Sequence, residues 1–259
     1  MKQSSFQIIS NRPLTEDVFE LRLAGDATAF TNPGQFAEIS VPGLFLRRPI
    51  SVCDWTPDTL TLLVKAVGTG TRSLRDLKSG APLDILTGLG NGFGVGQGME
   101  GPLASRTVLV GGGIGIAPLY ALARQLVAAR RKAGISASLP VVLGFRRVSD
   151  TFYVDEFAAL GCDVTVATED GSLGTRGFVT DVLSAHPELG YAYACGPMPM
   201  LRAVARLPQV CDGQFSFEAR MGCGFGACMG CTIVTASGPR RVCREGPVFH
   251  KAEIDWARN

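Results

Sequence analysis

Hydrophobic positions in the first hundred residues fall in short runs separated by turn residues. Proline, glycine, asparagine and aspartate punctuate the runs, and β-branched residues are frequent inside them. The pattern predicts strands at Phe6–Ser10, Val18–Leu23, Phe36–Val41, Ile50–Cys53, Leu60–Val67 and Leu83–Leu86. This rhythm is typical of a closed or nearly closed antiparallel barrel.

From Thr107 onward, short apolar strands alternate with segments of helical spacing. Strands are predicted at Thr107–Val110, Val141–Phe145, Asp163–Thr168 and Tyr191–Cys195. Helices are predicted at Ala117–Arg131, Asp155–Leu160, Val179–Ala185 and Met198–Leu207. Alternation of this kind indicates a parallel sheet covered by helices.

These two patterns, with a cysteine-rich end, predict a β plus α/β protein of three units. We expect a barrel domain over residues 1–101, a nucleotide-binding α/β domain over 102–212 and a small cysteine domain over 213–259. The glycine-rich stretch Gly88–Gly101 has little periodicity and is predicted to be a loop or hinge.

Composition excludes several classes of protein. The 259 residues are 46% hydrophobic with a mean hydropathy of +0.20, so general disorder is excluded. A net charge of +2 gives no broad basic surface for nucleic acid. No apolar run reaches the ~18–20 residues of a membrane span, and the start of the chain lacks the apolar core of a signal peptide. We therefore expect a cytoplasmic protein without disulfides.

The strongest chemical signal is a cluster of cysteines near the C-terminus. Cys223, Cys228, Cys231 and Cys243 have the spacing C-x4-C-x2-C-x11-C. The first three match the plant-type [2Fe–2S] loop, and the glycines between them permit sharp turns that aim N–H groups at sulfur. A zinc site would more typically show paired C-x2–4-C ligands. A zinc site and an unmetallated loop remain the alternatives.

A glycine-rich turn joins the first predicted strand of the α/β region to its first helix. Gly111, Gly112, Gly113 and Gly115 let the chain turn tightly, and the helix N-terminus would attract a diphosphate. The run does not fit the dinucleotide pattern G-x-G-x-x-G. The alternative is a turn whose glycines serve packing alone.

Two further motifs are weaker when taken alone. Cys195, Gly196 and Pro197 follow a later strand of the same sheet, so this turn should face the same crevice as the glycine turn. In the barrel region, Arg47-Arg48-Pro49-Ile50-Ser51 could clamp a phosphate and bind a planar heterocycle. The alternative is a solvated arginine pair in front of a strand.

Taken in order, these motifs resemble the ferredoxin–NADP reductase superfamily. Within it they resemble most the electron-transfer subunits of NAD-dependent dihydroorotate dehydrogenases, chiefly through the segment from Glu218 to Cys231 and its continuation at Cys243. The resemblance covers essentially the whole chain. Met221-Gly222-Cys223 departs mildly from the family's usual Met-Ala-Cys and leaves the ligand count intact.

The resemblance implies cofactors, a partner and site residues. It implies FAD on the barrel, NADH on the α/β domain with Cys195 near the nicotinamide, and a [2Fe–2S] cluster near the flavin. It further implies electron transfer to a separate FMN-containing dihydroorotate dehydrogenase subunit, in a heterotetramer that serves pyrimidine (UMP) biosynthesis. The flavin-binding residues by motif position would be Arg48, Pro49, Ile50, Ser51, Val64, Lys65, Ala66, Gly70 and Thr71.

Two questions stay open at the level of sequence. Glu169-Asp170 would repel a 2′-phosphate and favours NADH, whereas Arg146-Arg147 could accept that phosphate. The partner could instead belong to a hydrogenase or an NAD(P)H:ferredoxin oxidoreductase complex. A contrasting hypothesis is a non-enzymatic zinc or redox-sensing protein.

Overall fold

The N-terminal strands close into an antiparallel barrel. The structure, a computed structural model, describes residues 1–95 and 106–259. The barrel strands are β1 (Lys2–Pro13), β2 (Val18–Ala24), β3 (Phe36–Ile39), β4 (Arg48–Trp55), β5 (Thr59–Lys65) and β6 (Pro82–Leu89), and a short helix α1 (Thr69–Arg75) follows β5. Their order around the barrel is β1-β2-β5-β4-β3-β6, and β6 pairs with β1 to close it. The predicted barrel is confirmed.

Side chains on alternate positions fill the barrel. In β6, buried and less buried residues alternate along the whole strand, as expected where one face of a strand packs on a core. The core contains Phe6, Phe19, Leu21, Ile39 and Leu62. The predicted loop Gly88–Gly101 begins within the end of β6, and its part from residue 96 lies outside the described residues.

The next region is the predicted α/β sheet, whose parallel arrangement is confirmed. Its strands are β7 (Thr107–Gly112), β8 (Leu139–Phe145), β9 (Cys162–Thr168), β10 (Thr175–Arg176), β11 (Tyr191–Cys195) and β12 (Asp212–Ser216). Its helices are α2 (Ala117–Lys132), α3 (Val154–Ala159), α4 (Val179–Ser184) and α5 (Met198–Arg206). Every residue of β7 is buried, which explains its unbroken apolar run.

The C-terminal region contributes to the same sheet. Its strands are β13 (Thr232–Thr235), β14 (Gly238–Arg241) and β15 (Val248–His250). Strands β13 and β14 form a separate hairpin, whereas β15 pairs antiparallel with β12 at the sheet edge. The sheet order is β10-β9-β8-β7-β11-β12-β15. Strand β12 therefore spans position 212/213, where the sequence predicts a domain boundary.

Polar contacts join the barrel to the α/β region. The Arg124 guanidinium on α2 donates to Asp54 Oδ1 on β4 at 2.6 Å. The Tyr153 hydroxyl donates to Glu20 Oε2 on β2 at 2.7 Å, and both residues are buried. These contacts hold the ends of the parallel strands beside the barrel. Among the helices of the described residues, none has the length and apolar character needed to traverse a bilayer.

Candidate functional site

The first cleft, here called the sheet cleft, opens at the carboxyl ends of the parallel strands. Its volume is about 500 Å³. The lining residues come mainly from the turns that follow β7, β8, β9 and β11: Gly112, Gly113, Ile114, Phe145, Arg146, Asp150, Glu169, Phe178, Thr180, Pro197 and Met200. Ligands of open α/β sheets bind at this edge, so the predicted nucleotide turn lies in the expected place.

The four predicted glycines have two different roles in this turn. Gly112 and Gly113 line the cleft, and Gly113 has a φ of 53°, a left-handed conformation that glycine adopts without strain. Gly111 and Gly115 are packing positions instead. A Cβ on Gly115 would lie 2.5 Å from the carbonyl oxygen of Cys195, and one on Gly111 would lie 2.8 Å from Ile116. Gly113 therefore opens the cleft, Gly112 both lines the cleft and lies close to Met200, and Gly111 and Gly115 let the chain cross closely.

The turn after β11 lies directly beside the glycine turn. Pro197 lines the sheet cleft and precedes α5. Gly196 approaches Gly112, since a Cβ on Gly196 would lie 3.1 Å from the Gly112 nitrogen. Cys195 is buried, and burial together with the nearby Glu218 carboxylate raises the pKa of its thiol. A thiol in this environment stays protonated and is a poor nucleophile.

The second cleft, here called the barrel cleft, lies between the barrel, the glycine turn and the segment after β12. Its volume is about 420 Å³. Its lining residues come from separate parts of the chain: Phe36, Pro49, Ile50, Ser51, Leu63, Lys65, Val67, Thr71, Ile114, Ala117, Ser216, Phe217, Glu218, Ala219, Met221 and Pro247. The wall is largely apolar with a few polar groups, as is usual for a cofactor pocket.

The structure places the nine predicted flavin residues in three groups. Pro49, Ile50, Ser51, Lys65 and Thr71 line the barrel cleft. Val64 and Ala66 are buried in the barrel core instead. The Arg48 side chain lies over Gly70, where a Cβ would meet its Nε at 2.3 Å, and Arg48 donates to the Leu46 carbonyl. The Thr71 hydroxyl accepts from the Val67 and Gly68 amides and so caps its own helix.

Lys65 and Ile114 line both clefts. The Lys65 ammonium also pairs with Asp17 at 3.3 Å, and Asp17 lines the sheet cleft. The two clefts are therefore adjacent, and a ligand in one would approach a ligand in the other at this wall. The position of Lys65 was predicted from its motif, but its contact with both clefts follows only from the fold.

The four cysteines of the C-terminal motif, here called the cluster loop (223–231) with Cys243, form two pairs. The Cys223 thiol contacts that of Cys228, and the Cys243 thiol contacts that of Cys231. Within residues 1–95 and 106–259, no group of three or more His, Cys, Asp or Glu side chains is gathered closely enough to hold one metal ion. Two separate thiol pairs fit a two-iron cluster with four cysteine ligands.

Backbone amides support negative charge on these sulfurs. The Ala227 amide donates to Cys223 Sγ at 3.2 Å, and the Cys243 amide donates to Cys231 Sγ at 3.4 Å. Burial raises the pKa of the Cys223 thiol, but backbone donors from Cys228, Phe225 and Ala227 outweigh it and lower the pKa to about 6. Thiolates are the form that ligates iron, so the donor set fits an iron–sulfur cluster.

The structure adds two acidic residues that the motifs did not single out as site residues. Glu218 lines the barrel cleft, and its surroundings raise the pKa of its carboxyl by burial. Glu38, on β3, is buried next to the cluster loop, where a Cβ on Gly224 would lie 2.3 Å from its Oε1. Burial, opposed by Arg47, raises the pKa of Glu38 to about 7. No local pattern marks Glu38, whereas Glu218 stands at the start of the segment that carries the resemblance. The position of each in the site follows only from the fold.

Comparison with known proteins agrees with this architecture. Residues 109–206 match the family model "Oxidoreductase NAD-binding domain", and residues 218–255 match the "Iron-sulfur cluster binding domain of dihydroorotate dehydrogenase B". A solved structure of the NADH-dependent reduced ferredoxin-NADP oxidoreductase aligns with a TM-score of 0.82 and 29% identity. The alignment covers 97% of this chain and 90% of that one.

Fold and site together define an oxidoreductase subunit of the ferredoxin–NADP reductase architecture, with a C-terminal iron–sulfur segment. A dihydroorotate dehydrogenase B (NAD(+)) electron transfer subunit from Listeria monocytogenes is 40% identical over 98% of this chain and 99% of the relative. One from Bacillus caldolyticus is 41% identical over 95% of this chain and 96% of the relative. The chain belongs to this family of electron-transfer subunits, and the predicted resemblance is confirmed.

Proposed function

We propose that this chain carries electrons between NAD(H) and a separate FMN-containing dihydroorotate dehydrogenase subunit, through FAD and a [2Fe–2S] cluster. The sheet cleft would bind NAD(H), the barrel cleft would bind FAD, and Cys223, Cys228, Cys231 and Cys243 would hold the cluster. The assembly would be a heterotetramer in the cytoplasm that serves pyrimidine biosynthesis. The three units 1–101, 102–212 and 213–259 would correspond to these three cofactor sites.

The observation that carries this proposal is the order of the sites in space. Lys65 and Ile114 line both clefts, so the sheet cleft leads directly to the barrel cleft. Met221, which also lines the barrel cleft, lies two residues before Cys223. The sites therefore follow one another in the order nucleotide, flavin and cluster, which is the order an electron relay needs.

A flavin supplies the chemistry that this order requires, because it accepts a hydride and releases electrons singly. The chain's own residues supply position and polarity. Ser51 and Lys65 offer polar groups within the mostly apolar barrel cleft, and Gly112 and Gly113 offer backbone at the mouth of the sheet cleft. Cys195 keeps its proton beside the junction. Holding the two reacting ligands in contact at this wall would provide the orientation that hydride transfer depends on.

The cluster loop presents an apolar surface to a partner. Phe225 and Met229 are large side chains that are 46% and 52% exposed, and the Cys228 side chain is also exposed. Exposed apolar groups around a redox centre are typical of a docking face for another protein. We infer that the catalytic subunit docks over this loop, so that the cluster lies close to the partner's flavin.

Anaerobic purification of the chain together with its natural partner tests the proposal. We expect flavin and iron–sulfur absorption bands that bleach with NADH, and copurification of a protein that oxidises dihydroorotate. The isolated chain should reduce artificial dyes with NADH and leave dihydroorotate unchanged. Copurification with a hydrogenase or a ferredoxin-dependent enzyme would show that the partner is not a dihydroorotate dehydrogenase. A colourless preparation that contains zinc would refute the relay.

A further inference from the structure

We propose that Asp150 determines the coenzyme preference of the sheet cleft, by occupying both arginines that could bind a 2′-phosphate. This inference rests on the proposed binding of NAD(H) in that cleft and names the residue that sets its selectivity. The relevant segment is the turn after β8, where Arg146 and Arg147 precede a short 3-10 helix, Val148–Asp150.

The position of this turn identifies the part of the nucleotide it would contact. Strand β7 carries the glycine turn, which suits the diphosphate, and β8 is the next strand outward from β7. In nucleotide-binding sheets of this type, the group that recognises the 2′ position of the adenosine ribose follows the glycine turn along the chain and lies beyond it. Arg146, Asp150 and Glu169 line the sheet cleft on that side.

One carboxylate pairs with both arginines. The Arg146 Nε lies 3.1 Å from Asp150 Oδ2, and the Arg147 Nε lies 3.3 Å from Asp150 Oδ1. Asp150 is the most covered of the three, since its side chain is 21% exposed against 65% and 56% for the arginines. Both cations are thereby paired with one anion, and Arg146 is the one of the two that lines the sheet cleft, where a 2′-phosphate would need it free.

The surrounding backbone keeps this arrangement in place. The Asp170 amide donates to the Arg146 carbonyl at 3.2 Å, and the Val148 amide donates to Ser172 Oγ at 2.7 Å. Asp170 itself accepts from the Ser172 amide and hydroxyl, so its carboxylate serves its own loop. Of the predicted acidic pair Glu169-Asp170, Glu169 lines the cleft. The second acidic residue on that side of the cleft is Asp150.

The consequence is a charge barrier to the phosphorylated coenzyme. NADP+ differs from NAD+ by a 2′-phosphate, and the Asp150 and Glu169 carboxylates that line the cleft would repel it. Replacement of Asp150 by asparagine keeps the shape of the side chain, removes one negative charge and releases both guanidinium groups. The variant should therefore shift the coenzyme preference of the sheet cleft toward NADP+.

Calorimetric titration of the purified holoprotein with NAD+ and with NADP+ tests this inference. We expect Asp150→Asn to bind NADP+ about tenfold more tightly than the unmodified protein, and to raise the ratio of NADP+ affinity to NAD+ affinity. The gain should disappear in the double variant Asp150→Asn/Arg146→Gln. Asp163→Asn, an exposed carboxylate at the opposite end of β9, is the matched control and should change neither affinity.

The possible failures are separable. An unchanged NADP+ affinity in Asp150→Asn, with NAD+ binding retained, would overturn the role of Asp150 alone. Loss of NAD+ binding in that variant would also overturn it, since Asp150 would then contact the ribose directly. Failure of the unmodified protein to bind either coenzyme would overturn the proposed function of the sheet cleft itself.

Discussion

The sheet cleft and the barrel cleft differ in how the chain builds them. Most of the sheet cleft comes from turns that each follow a parallel strand, so one topological rule brings them together. The barrel cleft combines β3, β4, β5, the glycine turn and the segment after β12, which are far apart in the chain. A cleft made by repetition of one unit is easier to infer and to alter locally than one assembled from unrelated segments.

The largest effect is expected from a change in the cluster loop that leaves the two clefts intact. We expect Cys228→Ser to abolish electron transfer to the partner, because one of the four predicted cluster ligands is lost, while NADH-to-dye turnover stays largely intact. Anaerobic kinetics with both acceptors, together with iron and acid-labile sulfide content, measure this. Cys211→Ser, at an exposed cysteine outside the cluster loop, is the control and should change neither rate. Equal loss of both activities would contradict the separation.

Next in size is a change at the crossing that supports the sheet cleft. Gly115→Ala would place a Cβ 2.5 Å from the Cys195 carbonyl oxygen, so we expect a loss of about 1–3 kcal/mol in the free energy of unfolding and weaker NAD+ binding. Denaturant unfolding and coenzyme titration measure these effects. In the control Gly94→Ala, the new Cβ would meet Gln214 at an ordinary 3.5 Å. Similar losses in both variants would contradict a special role for the close approach of Gly115 to Cys195.

A smaller effect tests the barrel cleft. Arg48 lies over Gly70 beside the first turn of α1, where a guanidinium can bind a phosphate. We expect Arg48→Ala to raise the dissociation constant for FAD about tenfold, as loss of a charged hydrogen bond would do. Equilibrium dialysis followed by flavin absorbance measures how much FAD the protein retains. Arg75→Ala, at the end of α1, is the control. Full occupancy after dialysis would exclude the phosphate contact.

The smallest effect concerns the contact between the two regions. Tyr153→Phe removes the buried hydrogen bond to Glu20, and we expect it to lower the free energy of unfolding by about 1 kcal/mol. Tyr153 has a φ of 64°, so its backbone is held in an unfavourable conformation by its surroundings. Urea denaturation measures the loss. Tyr120→Phe, at the ring that packs edge-on against Tyr153, is the control. An equal loss of stability in that variant would contradict a specific contribution of the Tyr153–Glu20 hydrogen bond.

Much of the architecture could be predicted because its signals are local. The barrel strands and the strand–helix alternation leave periodic hydrophobic patterns, and the structure confirms both. Strands β12 and β15 were not predicted. They are five and three residues long, and β12 has aspartate, glycine and glutamine among its residues. Their strand conformation comes from pairing with each other and with β11, not from their own composition.

The site shows the same division. The cysteine motif and the glycine turn are visible in the sequence because thiolate ligation and tight turns demand particular residue types at short spacing. Glu38 and Asp150 have no such signature, since an isolated acidic residue in a sequence is most often an ordinary surface residue.

The sequence by itself determined the two fold patterns and the family, and it predicts the four cysteines as cluster ligands. Only the tertiary structure decided that Lys65 and Ile114 join the two clefts, that Gly115 serves packing, and that Asp150 binds both arginines. The physical reason is how far along the chain each kind of interaction reaches. Strand and helix periodicity and turn chemistry act over a few neighbouring residues, whereas the wall of a cleft and the pairing of charges depend on which distant segments the folded chain brings within a few ångströms.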